Sequence, residues 1–307
     1  MWYGNLILSL LLVISCGSRH KKETPKKPYA DPSKIEELQE KFTLYKNLIK
    51  EHQDEYGFIS SDCDALLWSS LVSIAGVEVR IEAAKDENGR WYRTPKKDCF
   101  SSGRSKSTIS RDMLLGIYWH AYYGRKSELS KNLIDYAVEN RLQMGEGDQS
   151  RIFLTPNMLG LLADINSKLG YNKYFILRGI PKDFYPNLID FEAHLQVLYI
   201  LLAGKVTGSI SDAAKMRLIE HAARQESNIL FQFAVRLYTD GQYEKLIDSL
   251  LDDRFFPSDR LPSTNERCDT WLWQRDFGKD WEPCEGNKEH HGGDFIFLSY
   301  LILEEFK

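Results

Sequence analysis

Residues 107–123 read STISRDMLLGIYWHAYY, and this stretch decides how the chain is built. It opens on hydroxyl side chains, sets Arg111 and Asp112 in what would be a first helical turn, and continues as an unbroken helical pattern. At about 100° per residue, Asp112, Gly116, Trp119 and Tyr123 share a narrow stripe with His120 at its edge, while Met113, Leu114, Ile117, Tyr118 and Ala121 cover the opposite arc. One side is aliphatic; the other carries an acid, a gap and aromatic rings. The pattern predicts a helix that packs on one face and lines a cavity with the other.

Outward from that helix the chain is mostly helical. A charged helix is expected over 32–52, a second over 63–84 beginning after the loop GFISSD, and further helices near 128–142, 156–169, 187–203, 211–224, 227–238, 243–251 and 295–306. Asn88-Gly89 followed by Trp91-Tyr92 predicts a small β-hairpin over 86–95. Residues 252–287 are long, charged and rich in Trp and Pro, a stretch suited to a lid. The expected class is mainly α: a closed α/α toroid of antiparallel helix pairs with one small hairpin, or alternatively an irregular helical bundle. Three domains of description follow: residues 1–15 a leader, 16–32 a Lys- and Pro-rich tether, and 33–307 a single helical domain. With 307 residues and 43% hydrophobic content there is enough chain for a real core. A net charge of −4 argues against nucleic acid as a partner.

The leader is apolar and ends Val13-Ile14-Ser15-Cys16, followed by Gly17-Ser18. This resembles the lipobox of bacterial lipoproteins, which implies cleavage before Cys16, acylation of Cys16 and attachment to the cell envelope. No Lys or Arg precedes the apolar run, a departure from that pattern; an ordinary signal peptide or a short anchor is the other reading. Gly17 leans toward the outer membrane. Cys63, Cys99, Cys268 and Cys284 remain, an even number that suggests two disulfides in an exported chain. Cys63–Cys99 with Cys268–Cys284 is the favoured pairing of three possible ones; zinc lacks the CxxC spacing it would need.

The segments SRDMLLG, GFISSDCDALL and the terminal GGDFIFLSYLI resemble the inner-helix starts of (α/α) toroid enzymes acting on polysaccharides. That resemblance implies acids at helix starts facing a central cleft, with aromatic rings to stack on sugars. Asp112, Asp64 and Asp294 are then the candidate catalytic carboxyls, since glycosidic hydrolysis needs two flanking the bond. For each, a first-turn acid favoured by the helix dipole is the structural alternative, and for Asp62 the cap is the preferred one. Arg111, Trp119, His120 and Tyr123 are candidate substrate contacts; a salt bridge for Arg111, a core histidine and core aromatics are the bland readings. Trp271, Trp273 and Trp281 could stack likewise. His290-His291 with Asp294 has zinc-ligand types, but adjacent histidines rarely face one ion, so neither metal nor cofactor is expected. The functional expectation is a lipid-anchored envelope enzyme cleaving a polysaccharide or peptidoglycan-type glycan. A non-catalytic surface lipoprotein binding a glycan or protein, and a polysaccharide lyase, stand beside it.

Overall fold

The structure is a computed structural model, and it describes residues 28–59, 62–148, 151–182, 192–262 and 292–307. Among these, ten α-helices and one two-stranded antiparallel sheet make the fold mainly α with a small hairpin. The helices are α1 (Pro32–Leu48), α2 (Ala65–Ser73), α3 (Arg111–Tyr123), α4 (Ser127–Glu139), α5 (Pro156–Lys168), α6 (Ala193–Thr207), α7 (Asp212–Arg224), α8 (Ile229–Tyr238), α9 (Glu244–Leu251) and α10 (Gly293–Glu304). The strands are β1 (Gln143–Glu146) and β2 (Arg151–Phe153).

Local chemistry sets the helix ends. Asp31 caps α1 by accepting from the Ser33 amide at 2.9 Å, with Pro32 in the first turn, where its missing N–H costs nothing. Ser211 and Asn228 cap α7 and α8 in the same way. α6 and α10 are apolar nearly all round and are buried along most of their length, as such helices must be. No helix among the described residues is long and apolar enough to cross a membrane.

Side-chain pairs fix the helix directions. On α2 and α3, Gly116 lies against Leu67 and Ser70 while His120 meets Ser73, so the two run parallel. α3 and α6 are tied at both ends, Asp112 to His194 and the Tyr122 hydroxyl to the Lys205 carbonyl, and are parallel too. Trp119 on Phe297 and Tyr123 on Tyr300 align α10 with them. Tyr238 against Gly204 and Tyr199 against Asn157 add α8 and α5. α1, α4, α7 and α9 run the other way: Tyr45, late in α1, packs on Phe295 at the start of α10, and Asn166 of α5 bonds the Ser130 carbonyl of α4. His221 of α7 meets Gln196 of α6, and Lys34 of α1 meets Glu244 and Asp248 of α9. Neighbour packs on neighbour in a closed circuit: α1, α10, α2, α3, α6, α8, α9 and back to α1. Six parallel helices therefore send their N-termini toward one end of the body.

Two expected elements differ. The helix expected over 63–84 stops at Ser73, because Gly76 takes a left-handed φ of 80° that ends it; 77–80 runs on without helix and Ile81–Ala84 forms a 3-10 turn. The Asn88-Gly89 turn does form, closed by Asp86 and Arg90, but only one bridge, Lys85 with Trp91, continues it, and Trp91 folds into the core. The two-stranded hairpin sits instead at 143–153, with Gly145 opposite Ile152 and a bulge at Met144. Tyr29, inside the stretch expected as a tether, is paired through its amide to the Gly241 carbonyl and through its carbonyl to the Tyr243 amide.

Candidate functional site

The hairpin sets the start of α3. Thr108 and Glu146 exchange bonds, the Thr108 amide to the Glu146 carbonyl at 2.8 Å and the Glu146 amide to the Thr108 hydroxyl at 2.9 Å. β2 then leads into α5, and the exposed Arg111 reaches back to the Phe153 carbonyl at 3.3 Å. From the other side, Arg93 ties the starts of α2 and α3 together. Its guanidinium, only 12% exposed, donates to the Ser107 carbonyl at 2.8 Å and hydroxyl at 2.7 Å, and meets Asp64 Oδ1 at 3.2 Å. The Cys63–Cys99 disulfide pins the same corner, with Cα atoms 5.9 Å apart. Cys268 and Cys284, like Cys16, lie outside the described residues, as do Trp271, Trp273, Trp281 and the two adjacent histidines.

At this confluence stands Asp112, its side chain 17% exposed, with Oδ2 3.6 Å from His194 Nε2 on the first turn of α6. That separation is ion-pair range for a protonated imidazole and too long for a hydrogen bond. Oδ1 accepts from the Met113 amide at 3.0 Å. Burial disfavours the charged carboxylate, but the neighbouring His194, the Ser110 hydroxyl and the Arg93 charge outweigh it, and the carboxyl titrates below its ordinary value. Asp112 is therefore ionised at neutral pH and points its charge among several helix N-termini, which favour an anion.

The other expected site residues fall in different places. Asp64 is half-exposed and engaged with Arg93, within the field that also reaches Asp112. Asp294 is fully buried, with Oδ1 accepting from the Phe295 amide at 2.7 Å in the first turn of α10. Trp119 is fully buried, stacked on Tyr123 at 5.4 Å and edge-on to Phe297 at 5.2 Å, so it fills the α3–α10 contact. Tyr123 packs between Tyr122 and Tyr300, and burial raises its phenol pKa. His120 sits in the α2–α3 seam with Nδ1 2.6 Å from the Ser73 hydroxyl. That hydroxyl gives its proton to the Ser70 carbonyl at 2.6 Å, so the imidazole donates from Nδ1. Burial, helped by Lys126, lowers the His120 pKa to about 4 and keeps it neutral. Gly116 makes room for α2: a Cβ there would stand 3.2 Å from the Leu67 carbonyl oxygen and Ser70 Cβ. The aromatic stripe is a helix seam, and only its acid end opens toward the shared N-terminal end. The side chain of Asp62 lies outside the described residues.

His194 is the partner that sequence reading missed. Its signal was available, a titratable residue near the start of an apolar helix, as with Asp112. The sequence expectation of a helix over 187–203 puts His194 in mid-helix, whereas the described helix α6 opens at Ala193. No group of three or more His, Cys, Asp or Glu among the described residues is placed to hold a metal ion. No family model, curated protein or solved structure matches this chain.

Proposed function

We propose that the chain is a lipid-anchored envelope enzyme that cleaves glycosidic bonds in a polysaccharide or peptidoglycan-type glycan, with Asp112 and His194 as its acid–base centre. The observation that carries this reading is the pairing itself. A partly exposed, ionised carboxylate from one helix start faces an imidazole from another, where parallel helices bring their N-termini together. In such a pair the buried His194 positions the Asp112 carboxylate, which acts as the acid–base group toward the leaving oxygen or the attacking water; the second carboxyl that such hydrolysis needs would be Asp64. Asp64 is held by Arg93 at the start of α2, and Arg111 stands at the start of α3 as a contact for sugar hydroxyls or an anionic substituent. The leader ending at Cys16 supports delivery to the envelope, with an outer-membrane address favoured by Gly17.

The burial of Asp294 and Trp119 supports a second reading, a non-catalytic surface lipoprotein that binds a glycan or protein, since one carboxyl and one ring are withdrawn from the N-terminal end. A reducing-sugar screen on envelope and exopolysaccharide substrates separates the two. The enzyme reading expects wild type to release reducing ends, and Asp112→Asn and His194→Gln each to lower turnover by about 100-fold or more with the fold intact. Ultraviolet absorbance of unsaturated products would reassign the same pair to a lyase. Retained glycan binding with no bond cleavage by wild type would give the second reading the field.

A further inference from the structure

The segment 168–182 follows α5 and folds back along it, and its sequence, KLGYNKYFILRGIPK, holds four cations and no acid in a chain of net charge −4. Its middle is the 3-10 turn Phe175–Gly179. Phe175 is 67% and Ile176 75% exposed, the two most exposed of the large apolar side chains described. Single exposed apolar residues are ordinary, but two adjacent ones on a fixed support are not.

The support is built from both flanks. Leu177 and Ile180 turn inward and pack on the core, and α5 is approached so closely that a Cβ on Gly160 would lie 3.2 Å from Ile180 Cβ. Asp164 of α5, nearly buried, holds Arg178 Nε and Lys182 Nζ at 2.9 Å each. Asp135 of α4 accepts from the hydroxyls of Tyr171 at 3.0 Å and Tyr174 at 2.8 Å and from Lys173 Nζ at 2.9 Å. These bonds keep Asp135 ionised, against the opposing effect of its partial burial. A loop tied down at five side chains still presents Phe and Ile to solvent. The nearly buried Asp164 and the partly buried Asp135 against Lys168, Lys173, Arg178 and Lys182 leave an excess of positive charge in the segment that carries that apolar tip.

We propose that the Phe175–Ile176 tip is a membrane-contact point that inserts between the headgroups of an anionic lipid surface, with the exposed Lys168, Lys173 and Arg178 on the phosphates. A short apolar tip preceded by two tyrosines and flanked by cations has the composition of an interfacial contact, where Tyr sits at headgroup level and Lys and Arg extend their stems. A stable protein interface needs about 800 Å² per partner, more than two side chains supply. The cationic surround selects an acidic surface over a neutral one. This contact is separate from the acid–base reading, and shares with it only the membrane setting that Cys16 acylation would give.

The test is amide hydrogen exchange of the full chain alone, with phosphatidylglycerol vesicles and with phosphatidylcholine vesicles. The proposal expects exchange across 168–182 to slow by about tenfold or more on phosphatidylglycerol only. The doubly substituted Phe175→Ser/Ile176→Ser chain, melting at the same temperature because both side chains are exposed, is expected to lose that slowing. Flotation and the mass of residue 16 on the same samples read the anchor independently of the tip. Equal exchange on and off phosphatidylglycerol would overturn the proposal, as would equal slowing on phosphatidylcholine. Slowing that grows with protein concentration in the absence of lipid would also overturn it, by assigning the tip to a second copy.

Discussion

The two ends of α3 begin from the same kind of sequence and do opposite work. At its start, Asp112 keeps partial exposure and meets charge from α6 and from Arg93. Eight residues on, His120 is buried, neutral and bonded to one serine, and Trp119 beside it is sealed against α10. The difference comes from what crosses each end. Helix starts leave amides that need acceptors and attract anions, so polar groups gather there. The middle of the helix satisfies its own backbone and its end leaves carbonyls that draw donors, not anions, so along the seam with its parallel neighbours the same aromatic and imidazole residues become packing.

The strongest way to break this contrast is Trp119→Ala. If the ring is packing, the loss should destabilise the fold by about 3–5 kcal/mol in urea unfolding, as for other buried large-to-small changes. A change under about 1 kcal/mol together with weakened glycan binding would return Trp119 to the role of a sugar platform.

Next in size is the pH response, which separates the ends by where they titrate. The pKa of His120 is lowered from 6.5 to about 4, and that of His221, buried beside Gln196, is lowered likewise. Between those values the unfolded chain binds protons that the folded chain does not. Stability is full above 6.5 and falls on acidification toward 4, by roughly 3 kcal/mol per histidine at about 1.4 kcal/mol per unit. Asp112, with its folded value lowered, contributes above its unfolded value and loses that contribution only as pH falls further. Urea midpoints from pH 7 to 3 should show the histidine phase first, reduced in His120→Gln, and the aspartate phase after it, absent in Asp112→Asn. A flat profile from pH 6.5 to 4 would contradict the buried, neutral assignment.

Gly116→Ala carries the smallest effect. Alanine favours the helix by about 1 kcal/mol, but its methyl meets the α2 backbone at 3.2 Å, and crowding of that kind costs about 1–3 kcal/mol. A net loss near 1 kcal/mol is expected from thermal melts. A stabilised variant would mean that α2 yields and that the close seam is not what keeps glycine there.

Much of this was legible in the chain. Nine of the ten described helices begin or end within two residues of where periodicity and caps place them, because those signals are local: Asp31 before Pro32, Ser211 before α7, Pro156 opening α5. The mainly α class with a small hairpin follows from the same signals. What was not legible depends on neighbours. Helical-wheel arithmetic separated one face of α3 from the other, but could not say that α2 and α10 would cover the polar-aromatic face as fully as the aliphatic one. It read the glycine as a gap for a ligand when a helix fills it. The Asn-Gly turn formed without its hairpin because the preceding residues close a 3-10 turn, while the actual strands, QMGE and RIF, are too short to show an alternating pattern. The Asp112–His194 pair joins residues 82 apart, and only the parallel run of α3 and α6 brings them together.

The bridge that Tyr29 makes to Gly241 and Tyr243 lies near the C-terminal end of α8 and the start of α1, at the opposite pole from Asp112. If Cys16 is held in a membrane, the stretch from there to Tyr29 can extend no more than about 45 Å. The body then hangs from its foot, and the pole bearing Asp112 is free to sweep outward from the surface. Tension along that leash arrives first at two backbone hydrogen bonds. These can part and lengthen the leash while α1 and the helices behind it stay folded.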